Sequence, residues 1–191
     1  MKVPLFLLFA SSLFAQPVLT LSTTGAVYPG ATLAVTVGLT GSSGQNISGL
    51  QFGLPAGSSA MLPGAASTAA LKTLRTSTAG TTVLLVGWSG STPPTASNAP
   101  YADGVVGTFS YLVPAGMGPL SLALTGPVAA STTGQNVAIT TAPLALTVGL
   151  DPACASAITT NVGSWTTNPS AAGFVAIVME LAAASTTGTC K

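Results

Sequence analysis

Short apolar segments separated by turn-forming residues run from Val18 to Gly149, and this pattern limits the chain to a small set of β folds. In residues 33–39 every second residue is Leu or Val, which is the period of a strand with one buried face. The other predicted strands are 18–21, 47–54, 81–88, 104–113, 119–125 and 136–148. Several short strands without long helical segments between them predict an all-β antiparallel sandwich for residues 16–150. Residues 65–74 fit either a helical turn or an edge strand.

The sequence carries very little charge, and this excludes several classes of function. It has four Lys or Arg, three Asp or Glu and no His, so that only 4% of residues are charged, against about 25% in typical soluble domains. No basic stripe is present to bind phosphates, which argues against nucleic-acid partners. Without His, neither a Ser-His-Asp system nor an imidazole metal site can form. The sequence therefore predicts a non-catalytic protein with no cofactor and no metal.

Residues 1–15 have the features of a secretory signal peptide. Lys2 precedes a short apolar run, and the small Ala15 stands before Gln16 at a suitable cleavage point. A membrane anchor is the alternative, but it needs about 20 apolar residues and Ser11 interrupts the run early. We therefore expect an exported protein, secreted or held at the cell surface, with no membrane span after cleavage.

Residues 151–191 differ in character from the strands and predict a C-terminal extension with one helix. Asn168 can cap a helix that starts at Pro169, and residues 170–184 then continue with Gly173 as the one weak helix former. The apolar residues of this helix cover more than one side, so we expect it to pack on the sandwich, with contact to another molecule as the alternative.

Two cysteines, Cys154 and Cys190, lie at the two ends of this extension. In an exported protein an even number of cysteines favours a disulfide, which would contribute about 4 kcal/mol for a loop of this length. Two free buried thiols are the alternative.

The order of the strand segments resembles that of the cohesin domain, the sandwich module of cellulosomal scaffoldins, over about residues 18–148. The segments that carry the resemblance are Tyr28-Pro29-Gly30-Ala31-Thr32-Leu33-Ala34-Val35, Ile47-Ser48-Gly49-Leu50-Gln51-Phe52, Asp103-Gly104-Val105-Val106-Gly107-Thr108-Phe109-Ser110-Tyr111, Pro114-Ala115-Gly116 and residues 120–124. The resemblance implies a nine-stranded, jelly-roll-like sandwich in which one outer sheet face docks a partner module, the dockerin. It places Gly49 and Gln51 on the partner-contacting strand, with Trp88 and Ser89 near its edge.

Strand alternation predicts which side chains face outward. If Leu50 and Phe52 point inward, Gly49 and Gln51 point outward. The same rule, applied with Phe109 inward, places residues 106, 108, 110 and 112 outward. In residues 81–88 it puts Leu84, Val86 and Trp88 on the opposite side of the strand from Val83 and Leu85. If the strands pair as the resemblance to cohesins implies, these side chains share one partner-binding surface, which consists of Gly49, Gln51, Leu84, Val86, Trp88, Ser89, Val106, Thr108 and Leu112. We expect so apolar a surface to be covered by the C-terminal helix or by another molecule.

Three functions fit these features. The first is an exported docking module for a dockerin-like protein partner or for polysaccharide. The second is a self-assembling surface or matrix protein, because the chain is nearly neutral and has few Lys residues to protect its strand edges. The third is direct sugar binding, for which Trp88, Trp165 and Tyr101 are the candidate aromatic residues.

Overall fold

The computed structural model describes residues 15–77, 80–87 and 97–187, with side chains described as far as residue 184. Within these ranges the chain forms a sandwich of two five-stranded sheets, which confirms the predicted fold class. Its elements are β1 (Val18–Thr23), β2 (Thr32–Thr40), β3 (Ile47–Gly53), β4 (Leu62–Pro63), α1 (Ala65–Ala69), β5 (Thr73–Thr76), β6 (Thr82–Val86), β7 (Gly104–Leu112), β8 (Gly118–Leu122), β9 (Thr125–Ser131), β10 (Asn136–Val137), β11 (Thr140–Ala142) and β12 (Leu144–Val148). Several strands are only two or three residues long, so the described strands outnumber the nine that the resemblance implies.

The two sheets divide the strands between them. The first sheet has the order β11-β1-β2-β7-β4, the second has the order β10-β9-β3-β6-β5, and β12 pairs with β8 separately. Neighbouring strands are antiparallel except for β1 and β11. Apolar side chains from both sheets, including Leu19, Val35, Phe52 and Val83, meet in one core and are fully buried. The alternation that predicts these strands therefore also determines which of their side chains fill the core.

The segment 65–74, for which the sequence left two possibilities, contains both. Helix α1 takes up its first half and is followed by Leu71, which has a φ of 56° where the chain reverses. Edge strand β5 follows directly. Gly64 begins this segment because a Cβ atom there would overlap the carbonyl oxygen of Val105.

Strand β7 contains a bulge that reverses the predicted orientation of Val106. Gly38 of β2 is opposite Val105, whereas the preceding residue, Val37, is opposite Gly107. Val106 is therefore an extra residue in the ladder, and such a bulge changes the side to which the following side chains point. Val106 is fully buried. Its predicted place on the outer surface is wrong, because strict alternation from Phe109 does not hold across the bulge.

The last strands also differ from the sequence prediction. Strand β9 was missed, since its Gly126-Pro127 start and its small residues give no clear period of two. The segment predicted as one strand over 136–148 forms β10, β11 and β12. Pro143 separates the last two because it has no N–H group to donate to a ladder.

The C-terminal extension contains two helices rather than the one predicted, α2 (Pro152–Thr167) and α3 (Ala171–Thr187). Asp151 caps α2 by accepting a hydrogen bond from the Ala153 N–H at 2.9 Å, and Pro152 occupies the first turn. Helix α2 was not predicted because its many Thr, Ser and Asn residues leave no clear 3.6-residue spacing of apolar residues. Asp151-Pro152 is nevertheless a signal for the start of a helix. In the part of the chain described, the main contacts of α2 and α3 are with each other and not with a sheet, so the expected packing on the sandwich is wrong.

Several predictions about the chain ends stay predictions. Residues 1–14, which form nearly all of the expected signal peptide, lie outside the described residues, and so does Cys190. Cys154 is buried, and its disulfide to Cys190 stays a prediction. No helix in the described ranges is long and apolar enough to cross a membrane.

Candidate functional site

The outer face of the second sheet brings four of the predicted site residues together. Gln51 in β3 lies opposite Leu84 in β6, and Gly49 lies beside Val86, whose methyl carbon would be 3.8 Å from a Cβ atom at Gly49. The neighbouring strands add residues that sequence reasoning missed. We call this surface the β3 face and define it by Gly49, Gln51, Arg75, Leu84, Val86, Val128 and Ala130.

Two rows of side chains run across the β3 face. The central row is Val128, Gln51, Leu84 and Arg75, which are successive cross-strand neighbours. Val128 is 49% exposed and Leu84 is 36% exposed, so the Gln51 amide stands between two apolar side chains that are open to solvent. The second row contains Ala130, Gly49 and Val86 and is flatter, because its side chains are small.

The core fixes the orientation of these rows. Leu50 and Phe52 are buried on either side of Gln51, and Val83 and Leu85 are buried on either side of Leu84. A shift of β3 by one residue would expose its core side chains to water and bury Gln51, and the same shift of β6 would expose Val83 and Leu85. The β3 face is therefore a fixed consequence of core packing.

Three other predicted residues do not belong to the β3 face. Val106 is in the core, and Thr108 and Leu112 lie on β7 in the first sheet. Leu112 is 58% exposed, but it is opposite Thr32 on the outer face of that sheet. Because the outer faces of a sandwich point in opposite directions, the predicted site residues that the structure describes do not form the single large apolar surface expected from the sequence. Trp88 and Ser89 lie outside the described residues.

A groove of about 440 Å³ opens at one end of the β3 face. Gly49, Val86 and Ala130 line it, together with the turn between β9 and β10, where Ser131 accepts hydrogen bonds from the backbone of Thr133 and Gln135. A side chain at position 49 would point between Val86 and Ala130. The glycine therefore keeps the groove open where it meets the sheet.

The far side of the groove is held by a buried lysine. The Lys72 Nζ donates a hydrogen bond to the Ser97 carbonyl oxygen at 3.0 Å and lies 5.6 Å from the centre of the Tyr101 ring. Burial lowers the pKa of Lys72 and raises the pKa of Tyr101 to about 12. Ser97 also lines the groove, so Lys72 positions its margin. Tyr101 is itself buried and is not an exposed ring for sugar binding.

The β3 face offers contact and hydrogen bonding rather than reactive groups. Arg75 is its one charged side chain among the residues that define it. No group of three His, Cys, Asp or Glu side chains that could hold a metal lies within the described ranges. Gln51 can donate and accept hydrogen bonds, and its apolar neighbours offer contact area to a molecule that covers the face. These properties suit the recognition of another molecular surface.

No protein-family model and no curated protein matches the chain. Its solved structural neighbours include a non-cellulosomal cohesin from the hyperthermophilic archaeon Archaeoglobus fulgidus, with a TM-score of 0.48, 16% identity, and coverage of 75% of this chain and 98% of that chain. A cohesin module from a family 33 glycoside hydrolase of Clostridium perfringens has a TM-score of 0.45, 13% identity, and coverage of 71% and 97%. A complex of CaDoc0917 with CaCohA2 has a TM-score of 0.45, 16% identity, and coverage of 70% and 100%.

The chain is similar to cohesin modules. At these identities the likeness concerns the fold alone, and the sandwich assignment rests on the strand order given above.

Proposed function

We propose that this chain is an exported, non-catalytic module that docks a protein partner through the β3 face. The observation that carries the proposal is the central row, in which Gln51 stands between the exposed Val128 and Leu84 beside an open groove. Polar groups set within apolar surface are typical of specific protein interfaces. The resemblance of the strand segments to cohesins supports a dockerin-like partner, and the N-terminal sequence supports export.

The chemistry of the face restricts the partner. With Arg75 as its single charge, the face has no carboxylate to bind a cationic side chain of a partner. We therefore expect a partner surface that is partly apolar and carries no cation, with a group that pairs with the Gln51 amide. A partner side chain can enter the groove above Gly49. Polysaccharide is the weaker alternative, because the buried Tyr101 removes one of three candidate aromatic residues.

The experiment compares capture by matched surface variants. The purified protein is immobilised and exposed to culture supernatant of its own host, and captured proteins are identified by mass spectrometry. Gln51→Arg places a charge at the centre of the β3 face, whereas Ser110→Arg places the same charge on the opposite outer face. We expect Gln51→Arg to lose the captured partner and Ser110→Arg to keep it. Equal capture by both variants would refute docking at the β3 face.

Export is tested separately. Sequencing of the N-terminus of the protein recovered from outside the cell is expected to begin at Gln16. Retention of residues 1–15 on the recovered protein would contradict the signal peptide.

A further inference from the structure

Helix α3 presents its most apolar side to solvent. The five large side chains on this side are between 45% and 66% exposed and are Phe174, Val175, Val178, Met179 and Leu181. Ala171, Ala172 and Ala182 are also exposed, so no charged residue interrupts this surface. We call these eight residues the outer α3 face.

The opposite side of α3 contains the charged residue of the helix. The Asn161 amide of α2 donates hydrogen bonds to both Glu180 carboxylate oxygens, at 2.9 and 2.8 Å. The buried Ile177 and Ala184 lie on this side as well. Because the polar contact is inside the hairpin and the apolar stripe is outside, the usual arrangement of a surface helix is reversed.

The Trp165 ring of α2 lies 5.9 Å from the Phe174 ring at one end of the outer α3 face, and Val175, Val178, Met179 and Leu181 stay 45% to 66% exposed. A helix with an apolar stripe is stable when the stripe packs on another element. In a hairpin of two helices, each helix has such a packing partner on one side only. The main packing of α3 within the described chain is against α2. An uninterrupted apolar surface of this kind marks an interaction site.

The charge and size of the outer α3 face fit a second copy of the chain. Glu180 is the one charged residue in residues 152–187 and is held by Asn161, so two such faces can meet without repulsion between like charges. The face has no cation to attract an anionic lipid or a polyanion. At about 80 Å² for each large side chain, it presents roughly 400 Å² of apolar surface. A symmetric pair would bury roughly 800 Å² from these side chains alone, and the adjoining alanines bring this near the ~1,000 Å² of a specific interface.

We propose that the protein forms a symmetric dimer in which the outer α3 faces of two copies pack against each other. The two α2–α3 hairpins then form a four-helix bundle, in which the outer α3 faces of the two copies are buried against each other. This surface is separate from the β3 face. The dimer would carry two β3 faces and would bind a multivalent partner more tightly than a monomer does.

Sedimentation-velocity ultracentrifugation of the purified protein across a wide concentration range tests the proposal. We expect the wild type to approach twice the mass of the monomer and Val178→Glu to stay monomeric. Leu112→Glu introduces the same charge at an exposed position on the sandwich and is expected to dimerise like the wild type. A wild type that is monomeric throughout, or a dimer that Val178→Glu retains, would overturn the proposal.

A second measurement protects the test against a variant that merely misfolds. Val178→Glu and Val178→Lys are each expected to be monomeric, and their mixture is expected to form a heterodimer because opposite charges then meet across the interface. Monomers in the mixture would count against the pairing of these faces. Flotation with phosphatidylcholine vesicles is expected to leave the wild type unbound, and vesicle binding by a monomer would overturn the proposal in favour of a lipid surface.

The outcome can be separated from that of the docking experiment. Gln51→Arg is expected to dimerise normally whether or not it captures a partner. Loss of the dimer in Gln51→Arg with retention in Val178→Glu would assign self-association to the β3 face and refute the present proposal.

Discussion

The bulge in β7 decides which residues form the outer surface, and alanine substitution of two adjacent valines tests it. Val106 is fully buried, whereas Val105 is 36% exposed. Without the bulge, strict alternation from Phe109 would reverse these orientations. Val106→Ala and Val105→Ala remove the same atoms from neighbouring positions, so each variant is the control for the other.

The magnitudes follow from burial. Val→Ala removes two methylene equivalents, worth about 1.6 kcal/mol of transfer free energy, and the cavity left in a tightly packed core adds to that. We expect Val106→Ala to lower the free energy of unfolding by about 2 to 3 kcal/mol. Val105→Ala is expected to lower it by less than about 1 kcal/mol, because a partly exposed side chain loses less on truncation. For a chain of this size the first change lowers the melting temperature by roughly 5 to 10 °C.

Urea unfolding followed by far-UV circular dichroism measures both variants. The slope of the unfolding free energy with urea should be the same as in the wild type, since neither change alters the surface exposed on unfolding. A larger loss for Val105→Ala than for Val106→Ala would refute the bulge. It would also return Val106 to the outer surface of the first sheet.

Three further predictions concern titrating and hydrogen-bonded groups. Asp103 accepts hydrogen bonds from the Ser42 hydroxyl, the Ser42 N–H and the Gly41 N–H, and these lower its pKa. Asp103→Asn should therefore reduce the free energy of unfolding at pH 7 and have little effect on it well below about pH 4, as measured by urea unfolding at both pH values. Burial raises the pKa of Tyr101 to about 12, so the wild type should lose stability as the pH rises from 10 towards 12, whereas Tyr101→Phe should show no such loss. Identical alkaline unfolding curves for the two proteins would contradict this prediction. Asn161→Ala removes the amide that binds Glu180 and should destabilise the helical hairpin by about 1 to 3 kcal/mol. Thermal melting followed by circular dichroism at 222 nm should show a lower melting temperature for the hairpin, and an unchanged melting curve would show that this contact contributes nothing to stability.

Several features of the site could be predicted from the sequence because they are local. Alternation in residues 47–54 puts Gln51 on the opposite side of its strand from Leu50 and Phe52, and the structure has these two buried. In residues 81–88 alternation separates Leu84 from Val83 and Leu85, but both rows are apolar and the sequence does not say which of them faces the core. The low charge likewise follows directly from the residues. The missed residues Val128 and Ala130 belong to a strand whose small side chains give no periodic signal.

Other features depend on contacts between distant parts of the chain. The sequence by itself determined that short strands with one apolar face alternate with turns, because side chains of an extended backbone point to opposite sides whatever its surroundings. Only the tertiary structure decided that β7 pairs with β2 in the first sheet, that Val106 occupies a bulge, and that α3 turns Glu180 towards Asn161. These outcomes depend on which distant segments pack together, and the choice among pairings with similar local patterns is made by the packing of the whole core.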